Sequence, residues 1–208
     1  MRCFTRFLAI VALPVAVAAQ NSHSPTIGLY GGASRTSLHG PDVPGPLHTN
    51  GFLGGIYGQW SAGPHVAFQP ELQFAQKGNR EVDRYRDGTF AMRIRLNYAE
   101  VPLLVRVSAT TVAGRFTPFL IAGPEVAFKT GCDLTVKGLA GSYTCDDLPA
   151  AESLDYGVIA GGGVDVGVAG RRLTLSARYD HGFVDVFKGN DPKNRAVSVL
   201  LGVPLLTK

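Results

Sequence analysis

The sequence has few charged residues and, beyond its first 20 residues, neither a long hydrophobic run nor a helical repeat of apolar positions. Asp, Glu, Lys and Arg make up 17% of the 208 residues, against about 25% in soluble domains. The formal net charge is only +4, which is too small to favour a nucleic-acid partner. The absence of helical periodicity excludes a helical bundle and membrane-spanning helices.

Cysteine is also scarce. The chain has 3 cysteines, and two of them, Cys132 and Cys145, lie in one polar segment that contains no histidine. That segment therefore lacks the ligands for a metal site. In an exported protein such a pair is typical of a disulfide that closes a loop. We expect no metal and no cofactor.

The first residues contain a targeting signal. Arg2 and Arg6 precede an apolar run over residues 7–17, and small residues follow the run. The run is too short for a transmembrane anchor and has the pattern of a secretory signal peptide. We predict a signal peptide over residues 1–19 and one domain over residues 20–208. Removing the two arginines lowers the formal net charge from +4 to +2.

The rest of the chain alternates apolar and polar residues. In residues 66–77, Phe68, Leu72 and Phe74 alternate with polar residues such as Glu71. Alternation over about ten residues predicts a strand that can cross a bilayer core of about 30 Å when tilted. Eight runs of this kind are present, over residues 26–36, 51–62, 65–77, 90–108, 116–130, 154–169, 173–184 and 195–206.

The connections between these runs alternate in length. Long polar connections at 37–50, 78–89, 131–153 and 185–194 alternate with short ones at 63–64, 109–115 and 170–172. Short periplasmic turns and long outside loops are typical of outer-membrane barrels with an even number of strands. We predict an all-β, antiparallel up-and-down transmembrane β-barrel of about eight strands, located in the outer membrane. Its wall would contact outer-membrane lipid, and its long loops could contact a partner protein.

The residues that alternate with the outward apolar positions would point inward and fill the lumen of this barrel. In the run 90–108 we expect Leu96 and Tyr98 to point outward, with a bulge at 99–102 that changes the parity. The expected inward charges are Glu71, Lys77, Arg93, Arg95, Glu100, Arg106, Glu125, Asp165, Arg178 and Asp180. Because an eight-stranded barrel is just wide enough for side chains to fill it, we predict a paired charge network and no diffusion pore.

Two other classes of protein compete with this interpretation. A soluble, exported, lipocalin-like barrel that binds a small apolar ligand would need apolar inward faces. A lipid-modifying outer-membrane enzyme would need a catalytic dyad, but Ser176 lies on the strand face opposite His181. The predicted inward carboxylates also have no recognisable nucleophile and base beside them. We therefore expect no catalytic residues and no enzymatic activity.

Four segments resemble one protein family. They are FQPELQFAQKG at 68–78, LNYAEVPLLVRV at 96–107, PFLIAGPEVAF at 118–128 and YGVIAGGGVDV at 156–166. In their order and their fixed Pro-Glu, Glu-Val-Pro and Gly-Pro positions they resemble the PorT-like outer-membrane β-barrel domain common in Bacteroidetes. This resemblance implies a barrel of roughly eight strands without an established catalytic site, and so a structural or interaction role. Some members are associated with protein secretion, but most have no assigned role.

Overall fold

The computed structural model describes residues 25–39, 48–85, 88–137, 141–144, 153–185 and 193–206. The predicted signal peptide lies outside these residues. The strands are β1 (Thr26–His39), β2 (Thr49–Ser61), β3 (Val66–Tyr85), β4 (Gly88–Ser108), β5 (Phe116–Lys137), β6 (Gly141–Thr144), β7 (Leu154–Val168), β8 (Arg171–Asp185) and β9 (Lys193–Leu206). Within the described ranges, no helix is long and apolar enough to cross a membrane.

Eight of the nine strands in the described residues close into an antiparallel barrel. Around the ring, β1, β2, β3, β4, β5, β7, β8 and β9 each pair with the next strand, and β9 pairs with β1. The remaining strand, β6, lies outside the ring and, among the described strands, pairs only with the last part of β5. The prediction of a closed all-β barrel of about eight strands is confirmed.

Strands β3, β4 and β5 are longer than predicted. The stretch 78–89, expected to be a polar loop, is largely a hairpin in which β3 and β4 stay paired as far as Tyr85 and Gly88. The predicted loop 131–153 likewise contains the end of β5 and all of β6. These boundaries were wrong because backbone pairing continues where apolar and polar residues no longer alternate.

The two ends of the barrel differ in their connections. At one end the connections span only 62–65, 109–115 and 169–170, and the chain enters β1 and leaves β9 there. Ala169 and Gly170 both have positive φ values, 48° and 76°, the conformation of a two-residue hairpin turn whose twist matches its strands. We call this end the short-turn end, and the opposite end the long-loop end.

The barrel wall is apolar outside and polar inside. On β3 the exposed residues include Phe68 and Leu72, whereas Glu71 and Lys77 are buried. Large apolar side chains are exposed on the outer face of the other barrel strands as well, among them Leu29, Ile56, Val105, Leu120, Val158, Leu175 and Leu201. A soluble, ligand-binding barrel would show the reverse arrangement, since its apolar residues would face inward.

The predicted change of parity in β4 is wrong. Leu96, Tyr98, Glu100 and Arg106 are all buried on one continuous inward face, and Arg95 is half-buried on the opposite side of the strand. The irregularity lies in β5 instead, where one extra residue stands opposite Asn97/Tyr98. The prediction failed because it assigned every apolar residue to the outside, although part of the interior is apolar.

Candidate functional site

In the described part of the barrel interior, ion pairs join charged side chains into three groups. The group nearest the long-loop end centres on the Lys77 ammonium. Its Nζ lies 2.9 Å from Glu100 Oε1, 3.3 Å from Glu125 Oε1 and 2.5 Å from Asp180 Oδ2. These residues come from β3, β4, β5 and β8, so the group joins opposite sides of the wall.

The three carboxylates of this group are the best candidate for a metal site in the part of the chain that the structure describes. Oxygens of Glu100, Glu125 and Asp180 lie within 4.8 Å of one another. The Lys77 ammonium already contacts all three, and a cation placed there would meet its positive charge. The group therefore fits a buried ion cluster better than a metal centre.

The middle group is a bidentate ion pair. Arg178 Nη1 and Nη2 donate hydrogen bonds to Glu71 at 2.7 and 3.0 Å, the fork geometry in which guanidinium binds carboxylate most strongly. Gln69 donates a further hydrogen bond to Glu71 at 2.6 Å. The Arg178 guanidinium also lies 5.1 Å from the ring centre of Tyr30.

Glycines in β7 make room for the inward side chains of the middle group and of Phe119. A Cβ on Gly161 would lie 3.1 Å from Arg178 Cγ, and one on Gly163 would lie 2.6 Å from the Phe119 ring. The glycine-rich sequence of β7 thus lets large inward side chains occupy the lumen beside its backbone.

The third group lies towards the short-turn end. Arg106 Nη2 is 2.6 Å from Asp165 Oδ2, and Thr174 donates a hydrogen bond to the other Asp165 oxygen at 2.7 Å. The Arg106 guanidinium also lies 3.6 Å from the ring centre of Phe119, a cation–π contact.

Hydrogen bonds connect the layers. Tyr30 donates to Gln73 at 2.7 Å, and Gln73 in turn donates to Glu100. Two of the cavities in the described part of the interior have free volumes of about 20 Å³ each, which gives each of them room for about one water molecule. Side chains therefore fill the described lumen.

The structure brings together eight of the ten residues predicted for the lumen and places one, Arg95, elsewhere. Glu71, Lys77, Glu100, Arg106, Glu125, Asp165, Arg178 and Asp180 are all buried inside the barrel. Arg95 does not join them, because it occupies the other face of β4. The side chain of Arg93 lies outside the described residues.

The interior is also more acidic than predicted. Among the described residues, the buried charged side chains are six acids and three bases: Glu71, Glu100, Glu125, Asp155, Asp165 and Asp180 with Lys77, Arg106 and Arg178. Sequence reasoning missed Asp155, which accepts a hydrogen bond from Asn194 at 3.1 Å. Extending the inward parity of residues 157–165 by one step would have included it.

The two residues considered for a catalytic dyad lie on opposite sides of the wall. Ser176 is buried inside the barrel. The His181 ring packs on the outer face between Tyr179 and Phe183, with ring centres 6.3 and 5.3 Å away. The two side chains therefore do not form a dyad.

Cys132 is buried at the end of β5 and is disulfide-bonded. Cys145 lies outside the described residues, so its pairing with Cys132 stays a prediction.

A Cys145→Ser variant should assemble like the wild type, because Cys132 lies beyond Phe128, the last residue of β5 that pairs with β7. It should lose about 3 kcal/mol of loop-closure stabilisation in residues 132–145 only. We expect several-fold faster protease cleavage in this segment and a Cys132 that reacts with thiol reagents. Thr144→Ser is the matched control, and failure of Cys145→Ser to insert into membranes would contradict the prediction.

A closed eight-stranded barrel with an apolar outer wall and a filled, charged interior has the architecture of an outer-membrane β-barrel. Residues 18–188 match the family model described as "Outer membrane protein beta-barrel domain". The chain therefore belongs to this family, whose location is the outer membrane. No curated protein sequence matches the chain.

Solved structures share the fold at low sequence identity. Neisserial surface protein A aligns with a TM-score of 0.52 and 12% identity, over 86% of this chain and 98% of its own. Ail, the attachment invasion locus protein of Yersinia pestis, solved with the heparin analogue sucrose octasulfate, aligns at 0.47 and 11%, over 87% and 99%. The outer-membrane enzyme PagL aligns at 0.39 and 14%, over 83% and 99%.

Proposed function

We propose that the protein is a non-catalytic outer-membrane barrel that presents an interaction surface at its long-loop end. The observation that carries this proposal is the combination of a filled lumen with a wall in which three adjacent strands are longer than the others. The lumen offers no wide passage through its described part, since ion pairs and aromatic rings occupy it. The protein's role would then be performed on its outside.

The three longer strands of the wall supply the interaction surface. Strands β3, β4 and β5 have 20, 21 and 22 residues, against 13 to 15 in the other barrel strands. They extend past the rung where Leu53 of β2 pairs with Ala75, and β6 widens the projecting part. We name this part, residues 78–85, 88–95, 131–137 and 141–144, the extended sheet. It offers a polypeptide partner a surface beyond the membrane.

The proposal also covers how the protein reaches the outer membrane and which subgroup of barrels it belongs to. Export would use the signal peptide at residues 1–19, and the long-loop end would face outward, as the ends with longer loops do in bacterial barrels. The four motifs noted above support a place among the PorT-like barrels of Bacteroidetes. A secretion component is one class of partner that this subgroup suggests.

Site-specific photo-crosslinking in cells would test the interaction role. A crosslinking amino acid replaces Val82 in the extended sheet or, as the matched control, Val199 on the outer wall. We expect one discrete higher-mass protein adduct at position 82 and none at position 199. Both variants must fractionate with the outer membrane and change gel mobility on boiling, which establishes a folded barrel. Identical results at the two positions would overturn the proposed role.

A further inference from the structure

Two arginines lie on the lipid-facing side of the wall, near the long-loop end. Arg35 is on β1 and Arg195 is on the neighbouring β9. Arg35 pairs in register with Val197, two residues from Arg195, so the arginines are diagonal neighbours within reach of long side chains. On the other side of β9, Arg195 pairs directly with His181 of β8.

Among the described residues, neither arginine has a carboxylate partner. Arg195 Nε is buried and has no hydrogen-bond partner in the same residues. Arg178 Nε has no partner in these residues either, but the guanidiniums of Arg106 and Arg178 inside the barrel are both paired with carboxylates through Nη atoms. A buried guanidinium N–H without an acceptor is costly, so an external anion would supply what Arg195 lacks.

The surroundings of the two arginines suit a lipid. Tyr179 is 42% exposed and its ring stacks on that of His181, and aromatic residues of this kind lie at the headgroup level of membrane barrels. From Val197 towards the short-turn end, Val199 and Leu201 are more than half exposed. A headgroup at the arginines could thus place its acyl chains on this apolar strip.

We propose that Arg35, Tyr179, His181 and Arg195 form a binding site for the phosphate group of an outer-leaflet lipid. The two guanidiniums bind the phosphate oxygens, since planar guanidinium matches phosphate geometry. His181 adds a ring N–H donor, and Tyr179 packs beside the headgroup. The apolar strip makes a membrane lipid, rather than free phosphate, the ligand. The inference rests on the lipid-facing wall and on the proposed outward orientation of the long-loop end, and it is independent of the proposed interaction role.

Native mass spectrometry of the detergent-solubilised full chain, titrated with diphosphoryl lipid A, would test this site. We expect the double variant Arg35→Gln/Arg195→Gln to bind at least tenfold more weakly than the wild type. The matched control is Arg115→Gln/Arg171→Gln, which removes two exposed arginines at the short-turn end and should leave binding unchanged. Arg35→Lys/Arg195→Lys keeps the charge but loses the planar fork, and its affinity should be intermediate.

Retention of the boiling-dependent gel shift in each variant separates loss of binding from loss of the fold. Wild-type affinity in Arg35→Gln/Arg195→Gln would overturn the site. Equal binding of lipid A from which the phosphates have been removed would overturn the role of phosphate. Displacement of lipid A by an equal concentration of inorganic phosphate would overturn the assignment to a lipid.

Discussion

Replacing Lys77 with methionine should destabilise the folded barrel by about 3 to 5 kcal/mol, the usual cost of removing one partner from a buried ion pair. The substitution removes the ammonium that contacts Glu100, Glu125 and Asp180 at 2.5 to 3.3 Å. Three carboxylates then remain together in a buried layer. The free energy of unfolding can be measured by urea titration in lipid vesicles, with the fluorescence of Trp60, the only tryptophan, as the signal.

A second substitution set identifies the cause of this loss. Adding Glu100→Gln and Glu125→Gln to Lys77→Met removes the like-charge repulsion and should restore most of the lost stability. Lys193→Met at the rim is the matched lysine control, and we expect a change within about 0.5 kcal/mol. If Lys77→Met unfolds at the same urea concentration as Lys193→Met, the ion cluster does not stabilise the barrel.

Removing Arg178 should have an effect of similar size in the middle layer. Arg178→Met deletes the two hydrogen bonds to Glu71 and leaves that buried carboxylate with the Gln69 amide as its hydrogen-bond donor in the described structure. We expect a loss of about 3 to 5 kcal/mol in the same urea titration. The double variant Arg178→Met/Glu71→Gln should be less destabilised than the sum of its two single variants.

The matched control for Arg178→Met is the same substitution at Arg172. Its guanidinium lies 4.0 Å from Asp165, and its side chain is 55% exposed. Because exposed pairs contribute about 0 to 1 kcal/mol, Arg172→Met should hardly change the unfolding midpoint. Additive losses in the Arg178 and Glu71 variants would show that the two side chains stabilise the barrel independently, contrary to the bidentate geometry.

The fold could be predicted because the wall repeats one simple rule. Lipid contact requires apolar residues at every second position, and residues such as Phe68 and Leu72 obey it. Most inward charges followed from the same parity, since a charged side chain such as Glu71 cannot face the acyl chains. The number of strands and the positions of the short connections then followed from counting the alternating runs and the segments between them.

The interior could be predicted only in part, because it follows no such rule. Leu96 and Tyr98 were expected outside but pack inside, where apolar side chains fill space between ion pairs. Arg95 was consequently placed on the wrong face. The Glu71 pairing with Arg178, 107 residues away, depends on how the sheet curves round, which local alternation does not encode. Nor does alternation mark the ends of β3 and β4, which continue beyond the apolar band.

Because β1 pairs with β9, the ring cannot close until the last strand has reached the first. Ile27 pairs with Leu206, so β1 finds its second neighbour only when β9, the last strand of the ring, is also in place. Contacts this distant in sequence are slow to form, and until then β1 exposes an unpaired edge to other chains. We expect assembly to pass through an aggregation-prone open sheet whose lifetime depends on how quickly the last strand reaches β1.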